Sequence, residues 1–155
     1  MQETYEMPGH LARRFQQIAV AVFLAEVEGA GYDLTPVQYA ALRAMDDNPG
    51  LDQVTLARLI AFDRTTITGV VDRLVTKGLI TRQASSRDRR ARELTITAAG
   101  RRTLRGITPA VEAAQRTMLR GLTDTEAEEL LRLLQKAITA CNELSRAPLR
   151  GVAAG

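Results

Sequence analysis

At 155 residues, 45% apolar and 25% charged with a formal net charge of +3, the chain has the size and make-up of one soluble globular domain, or one domain with dimerising extensions. Its single cysteine, Cys141, excludes an internal disulfide and suits a reducing cytoplasm. The opening Met1-Gln2-Glu3-Thr4-Tyr5-Glu6 lacks a signal peptide's basic segment and apolar core, and no stretch approaches the ~20 apolar residues of a membrane span. A cytoplasmic protein with no membrane partner is expected.

Leu11, Phe15, Ile18, Val22 and Ala25 recur at spacings of four and three, one stripe of a first helix that Gly29 and Gly31 end. Thr35-Pro36-Val37-Gln38 combines an N-cap, a proline at the first helical position and a capping-box glutamine. That second helix runs to about Asp47 and stops at Asn48-Pro49-Gly50. Asp52 caps a short third helix carrying Val54, Leu56, Leu59 and Ile60, and after a break at Ala61-Phe62, Asp63 caps a fourth that ends at Gly78. Leu79–Arg82 and Arg92–Thr97 read as two strands around the polar run Ala84–Arg90, a hairpin with a cationic tip. Thr97 caps a fifth helix, in which Pro109 predicts a kink or break near Gly106–Pro109. Val111, Ala114, Met118 and Leu122 continue its stripe. Thr123-Asp124-Thr125-Glu126 opens a sixth helix with Leu130, Leu133, Leu134, Ala137, Ile138, Cys141 and Leu144; Cys141 reads as packing on that stripe. From Pro148 onward a frayed tail is expected.

Charge is concentrated in one block. Residues 1–62 carry four basic and eight acidic side chains (−4), residues 63–102 ten and four (+6), and residues 103–155 seven and six (+1). A polyphosphate is the partner such a block favours, because binding there releases condensed counterions; a solvated charged hairpin is the alternative. Two short helices joined by a tight turn and followed by a β-hairpin make a winged helix-turn-helix, in which the second helix enters the major groove. The fold class expected is therefore mainly α with a small β-hairpin wing. The start of the fourth helix, Arg64-Thr65-Thr66-Ile67-Thr68-Gly69, crowds three β-branched threonines where helix propensity disfavours them. Short hydroxyls and an arginine suit close approach to base edges. A surface helix using threonine for local hydrogen bonds is the competing reading. Ile67, Val70, Val71 and Leu74 fall on the opposite, inward side.

The run Asp63–Ile80, with Ser86-Arg87-Asp88-Arg89-Arg90 and Leu94-Thr95-Ile96-Thr97-Ala98-Ala99-Gly100, resembles the MarR family of bacterial repressors, and the order of elements matches over roughly residues 8–145. In that family a wing Asp-x-Arg, here Asp88 and Arg90, places the arginine in the minor groove with the aspartate helping to orient it. The resemblance implies DNA contacts from Arg64, Thr65, Thr66, Thr68, Arg73, Arg87, Asp88, Arg89 and Arg90. It also implies a homodimer joined by the terminal helices on a palindromic, double-stranded operator. The layout expected is a dimerisation helix over 1–34, a winged helix-turn-helix lobe over 35–97, C-terminal dimerisation helices over 98–147 and a tail over 148–155.

Pro8–Arg14 and Leu34–Leu42 resemble the branch of the family that answers to aromatic acids, which implies release by a small aromatic carboxylate. All six aromatic residues (Tyr5, Phe15, Phe23, Tyr32, Tyr39 and Phe62) lie in the N-terminal part. A carboxylate needs a cationic partner and a ring needs apolar walls; His10, Arg14, Gln17 and Tyr39 are the candidates, solvated charges and a core tyrosine the alternative. One histidine, one cysteine and no clustered carboxylates leave no nucleophile–base pair and no metal-ligand set. No enzyme, cofactor or metal site is expected. An effector-insensitive DNA-binding protein and a winged-helix protein-interaction module are the remaining alternatives.

Overall fold

The computed structural model describes residues 6–151. Within them α1 spans Pro8–Gly29, α2 Pro36–Asp47, α3 Gln53–Leu59 and α4 Arg64–Thr76. The strands β1 (Ile80–Ala84) and β2 (Arg92–Ile96) follow, then α5 (Ala98–Met118), α6 (Asp124–Cys141) and a 3₁₀ turn at Asn142–Leu144. Local side-chain chemistry sets five of the helix starts. Thr35, Asp52, Asp63, Thr97 and Thr123 each accept a hydrogen bond from the backbone N–H three residues on, and Gln38 and Glu126 complete capping boxes.

The strands pair antiparallel from Ile80↔Ile96 to Ala84↔Arg92. A third segment braces them: Leu94 N–H donates to the Leu51 carbonyl at 2.8 Å, and Asp52 bridges to Glu93. Behind the hairpin, Leu42, Met45, Leu56, Ile67, Leu74, Ile80, Leu94 and Ile107 are fully buried, each worth about 1.5–3 kcal/mol of burial. This core fixes α4 through Ile67, Val70, Val71 and Leu74 and leaves its other face outward. The α5 helix starts one residue after β2. Its Gly100 lies so close to the Leu79 carbonyl that a Cβ there would overlap it.

Three expectations change. First, α5 runs unbroken through Pro109. The lost N–H frees one carbonyl, but Pro109 faces solvent while its neighbours Ile107, Ala110 and Val111 are buried and hold the helix together. Leu122 falls outside it, since the helix stops at Met118. Second, the stripe Leu11–Ala25 is not what α1 buries. Phe23 and Val27 enter the core, whereas Leu11 and Ile18 are each 48% exposed. Third, the described part of the tail is bonded rather than frayed: Asn142 holds Leu149 by two hydrogen bonds, and Arg150 N–H donates to the Arg58 carbonyl at 3.0 Å. The α6 helix itself has no buried residue, and Leu131, Leu133, Leu134, Ile138 and Cys141 all lie open on it.

Candidate nucleic-acid interface

The entrance to α4 is shaped by Asp63. Its carboxylate accepts from the Thr66 N–H at 2.8 Å and the Thr66 hydroxyl at 3.0 Å. These bonds, the N–H first, hold the Asp63 carboxyl below its ordinary value. Thr68 donates its hydroxyl to the Arg64 carbonyl at 2.9 Å and accepts from Gln53 Nε2 at 3.1 Å. Local hydrogen bonding thus accounts for two of the threonines, yet each of their oxygens keeps acceptor capacity. Arg64 and Thr65 stand exposed at the first turn.

The wing tip is organised by its own short side chains. Asp88 accepts from the Arg90 N–H at 2.9 Å, an Asx turn. The aspartate therefore sets the backbone from which Arg90 projects. Ser85 does the same for the Arg87 N–H at 3.2 Å. Arg87, Arg89 and Arg90 are exposed.

The α4 helix and the wing meet across one groove of about 460 Å³. Arg64, Ile67 and Thr68 line it from α4, Asp88, Arg90 and Arg92 from the wing, and Asp52, Gln53 and Val54 from the start of α3. The structure thereby brings together Arg64, Thr68, Asp88 and Arg90. Arg73 is exposed nine residues beyond Arg64, about 13 Å along the axis, and lies outside the groove lining. Gln53 and Arg92 are groove residues the sequence did not single out. Gln53 gave no signal because its partner, Thr68, is fifteen residues away; Arg92 was visible only as one basic residue among many. A further link, Arg82 to Asp72 at 2.6 Å, ties β1 to the outer face of α4.

The effector candidates occupy two sides of α1. His10, Arg14 and Gln17 share one face at helical spacing, and Arg13 Nη2 lies 3.3 Å from His10 Nδ1. Arg14 and Gln17 are exposed. Tyr39, on α2, packs against Phe23 with ring centroids 6.1 Å apart and tilted by 56°. Phe23 follows Arg14 by nine residues, about two and a half turns, so it faces away from Arg14. Among the described residues no cluster of three His, Cys, Asp or Glu side chains could hold a metal ion, and no helix is long and apolar enough to cross a membrane.

Residues 32–91, which contain every residue lining this groove except Arg92, match the MarR family model. A regulatory protein assigned to the hcr operon of Thauera aromatica is 35% identical over 135 residues, covering 84% of this chain and 78% of that protein. The chain belongs to the MarR family. PcaV of Streptomyces coelicolor, solved with its natural ligand, superposes with a TM-score of 0.81 at 32% identity, over 88% of this chain and 94% of that one. BpsR of Bordetella bronchiseptica, whose DNA binding is regulated by 6-hydroxynicotinic acid, gives 0.80 at 30% identity, over 86% and 94%. The chain is thus a MarR-family winged-helix transcriptional regulator, and its relatives are regulators rather than enzymes.

Proposed function

We propose that the protein is a cytoplasmic repressor that binds a palindromic operator as a homodimer and is released by a small aromatic carboxylate. The groove carries this reading: Arg64 from the recognition helix and Arg90 from the wing line one face. In this arrangement Arg64, Thr65, Thr66 and Thr68 approach base edges in the major groove, while Arg73, Arg87, Arg89 and Arg90 engage backbone and minor groove.

Dimerisation draws its support from unburied apolar surface. The α6 helix exposes Leu131 at 56% and Ile138 at 60%, and α1 exposes Leu11 and Ile18; a second copy would bury both stripes. Residues 1–34 and 98–147 then form the dimer arm and residues 35–97 the DNA lobe. Release by an acid draws its support from the likeness to BpsR and from the polar face on which the Arg14 guanidinium stands with His10 and Gln17. Sedimentation with a duplex selected from a random library tests the reading. The expected result is a dimer alone and two protomers per two-fold site, whereas monomeric mass at micromolar concentration defeats it.

A further inference from the structure

The segment after α6 is built back onto the helix-turn-helix. Asn142 clasps Leu149 from both sides, Nδ2 donating to its carbonyl and Oδ1 accepting from its N–H, each at 2.9 Å. The Arg150 guanidinium meets the Glu143 carboxylate at 3.3 and 3.1 Å, and its backbone N–H donates to the Arg58 carbonyl on α3. Ala147 and Pro148 are thereby brought to the wall of a second concavity, about 140 Å³, shared with Val54, Ala57, Phe62, Arg58, Arg64 and Arg150.

Three of those lining residues are arginines and none is acidic. Glu143, outside the lining, offsets one charge through its pair with Arg150, which leaves two positive charges uncompensated across the four groups. Val54 and Arg64 line both this concavity and the larger groove, so the two are neighbours on the surface. In a helix-turn-helix the first helix crosses the sugar–phosphate backbone while the second enters the major groove. A cluster at the junction of α3 and α4 therefore stands where the backbone passes.

We propose that Arg58 and Arg150, beside the base-reading Arg64, form a seat for one DNA backbone phosphate, with the C-terminal segment closing it. Guanidinium forks match phosphate oxygens, and a phosphate contact positions the protein without reading sequence. The proposal rests on the DNA-binding reading above and extends it to residues beyond the winged helix. It makes Arg150, sixty residues beyond Arg90 in sequence, part of the DNA face.

The test is a salt titration of wild type, Arg150→Ala, Arg58→Ala and Asn142→Ala. Each binds a library-selected duplex and a random duplex of equal length, with thermal melting to confirm folding. Arg150→Ala and Arg58→Ala are each expected to weaken both duplexes by a common factor and to reduce the salt slope by up to about 0.9, the share of one phosphate. Asn142→Ala keeps every charge but frees Leu149, and is expected to weaken both duplexes as well. Arg43→Ala, a charge removed from α2, is expected to change neither. Wild-type affinity and slope in Arg150→Ala overturn the seat, as does a loss confined to the selected duplex, which marks a base contact. Wild-type affinity in Asn142→Ala overturns the closing role of the segment. A wild-type protein that binds neither duplex removes the DNA-binding reading itself, and the seat with it.

Discussion

The Lys77 ammonium donates to the Gln38 side-chain oxygen at 3.2 Å, joining the end of the recognition helix to the start of α2 across 39 residues of chain. The same oxygen accepts from the Thr35 N–H at 3.3 Å, and Lys77 also reaches the Asp33 carbonyl. Gln38 is the one buried polar side chain among the described residues. Its burial is tolerable because both donors are satisfied by it.

Replacing that oxygen leaves the half-buried Thr35 N–H without its acceptor, while Lys77 keeps Asp33. Gln38→Leu is expected to destabilise the fold by about 1–2 kcal/mol, the cost of a broken capping box and one unpaired backbone donor. Denaturant midpoints check it, and a variant as stable as wild type would show that water serves this donor equally well. Lys77→Met should cost less, because the ammonium is partly solvated and loses only a screened contact.

The turn between α3 and α4 holds a non-glycine residue in the left-handed region, Ala61 at φ 55°. A Cβ there costs on the order of 1 kcal/mol. Ala61→Gly is expected to leave stability unchanged or raise it by up to about 1 kcal/mol, and the β-branched Ala61→Val to lower it by about 1–2 kcal/mol. Equal melting temperatures for the three proteins would contradict the backbone assignment.

On DNA, Arg64→Ala should remove about 1–3 kcal/mol of preference for the selected duplex over a random one, as a lost bidentate base contact does. Arg90→Ala should weaken selected and random duplexes by similar amounts and lower the salt slope by about one unit. If Arg64→Ala weakens both duplexes equally, Arg64 touches phosphate alone.

The Asp63 cap makes a pH prediction with a definite sign. Hydrogen bonds from Thr66 lower the folded-state value below the ordinary 3.8, so the unfolded chain binds a proton that the folded chain refuses. The charged cap's contribution is complete above 3.8 and is lost as pH falls through the depressed folded value. Asn caps equally well without charge. The melting difference between wild type and Asp63→Asn should therefore be constant from pH 7 to about 5 and shift against wild type at lower pH. A difference independent of pH down to 3 would show that the charge contributes nothing to the cap.

Arg14→Ala should abolish release of the DNA complex by aromatic acids such as benzoate or 6-hydroxynicotinate while sparing DNA affinity. A ligand shifts the equilibrium only by its differential affinity for the two states, so thermal shift and DNA release should fall together in the variant. Stabilisation by the acid that survives in Arg14→Ala would place the carboxylate elsewhere.

What could be read from the sequence was local. Thr35, Asp52, Asp63, Thr97 and Thr123 announce helix starts because a cap needs only three following residues, and the fold class followed from those starts with the Leu94–Ile96 alternation. What could not be read depends on distant partners. Pro109 breaks an isolated helix, yet burial of Ile107, Ala110 and Val111 overrides it. The apolar stripe of α1 was legible as a stripe, but helix periodicity alone cannot say which of its residues meet the chain's own core and which stay open. The groove showed the same division: Arg64 and Arg90 were visible in composition, whereas Gln53 became a groove residue only through its bond to Thr68.

Gly100 has a mechanical consequence. Its contact with the Leu79 carbonyl, together with the Thr97 hydroxyl donating to the Gly78 carbonyl at 2.8 Å, leaves no slack between hairpin and α5. The junction works as a rigid elbow with two arms, a helix of 21 residues, about 30 Å long, and a strand of five residues, about 17 Å. A tilt of the long arm by about 10° swings the far end of the short one by roughly 3 Å. That is close to the rise of one base pair, enough, if Arg90 makes the proposed minor-groove contact, to carry it from one step of the duplex to the next.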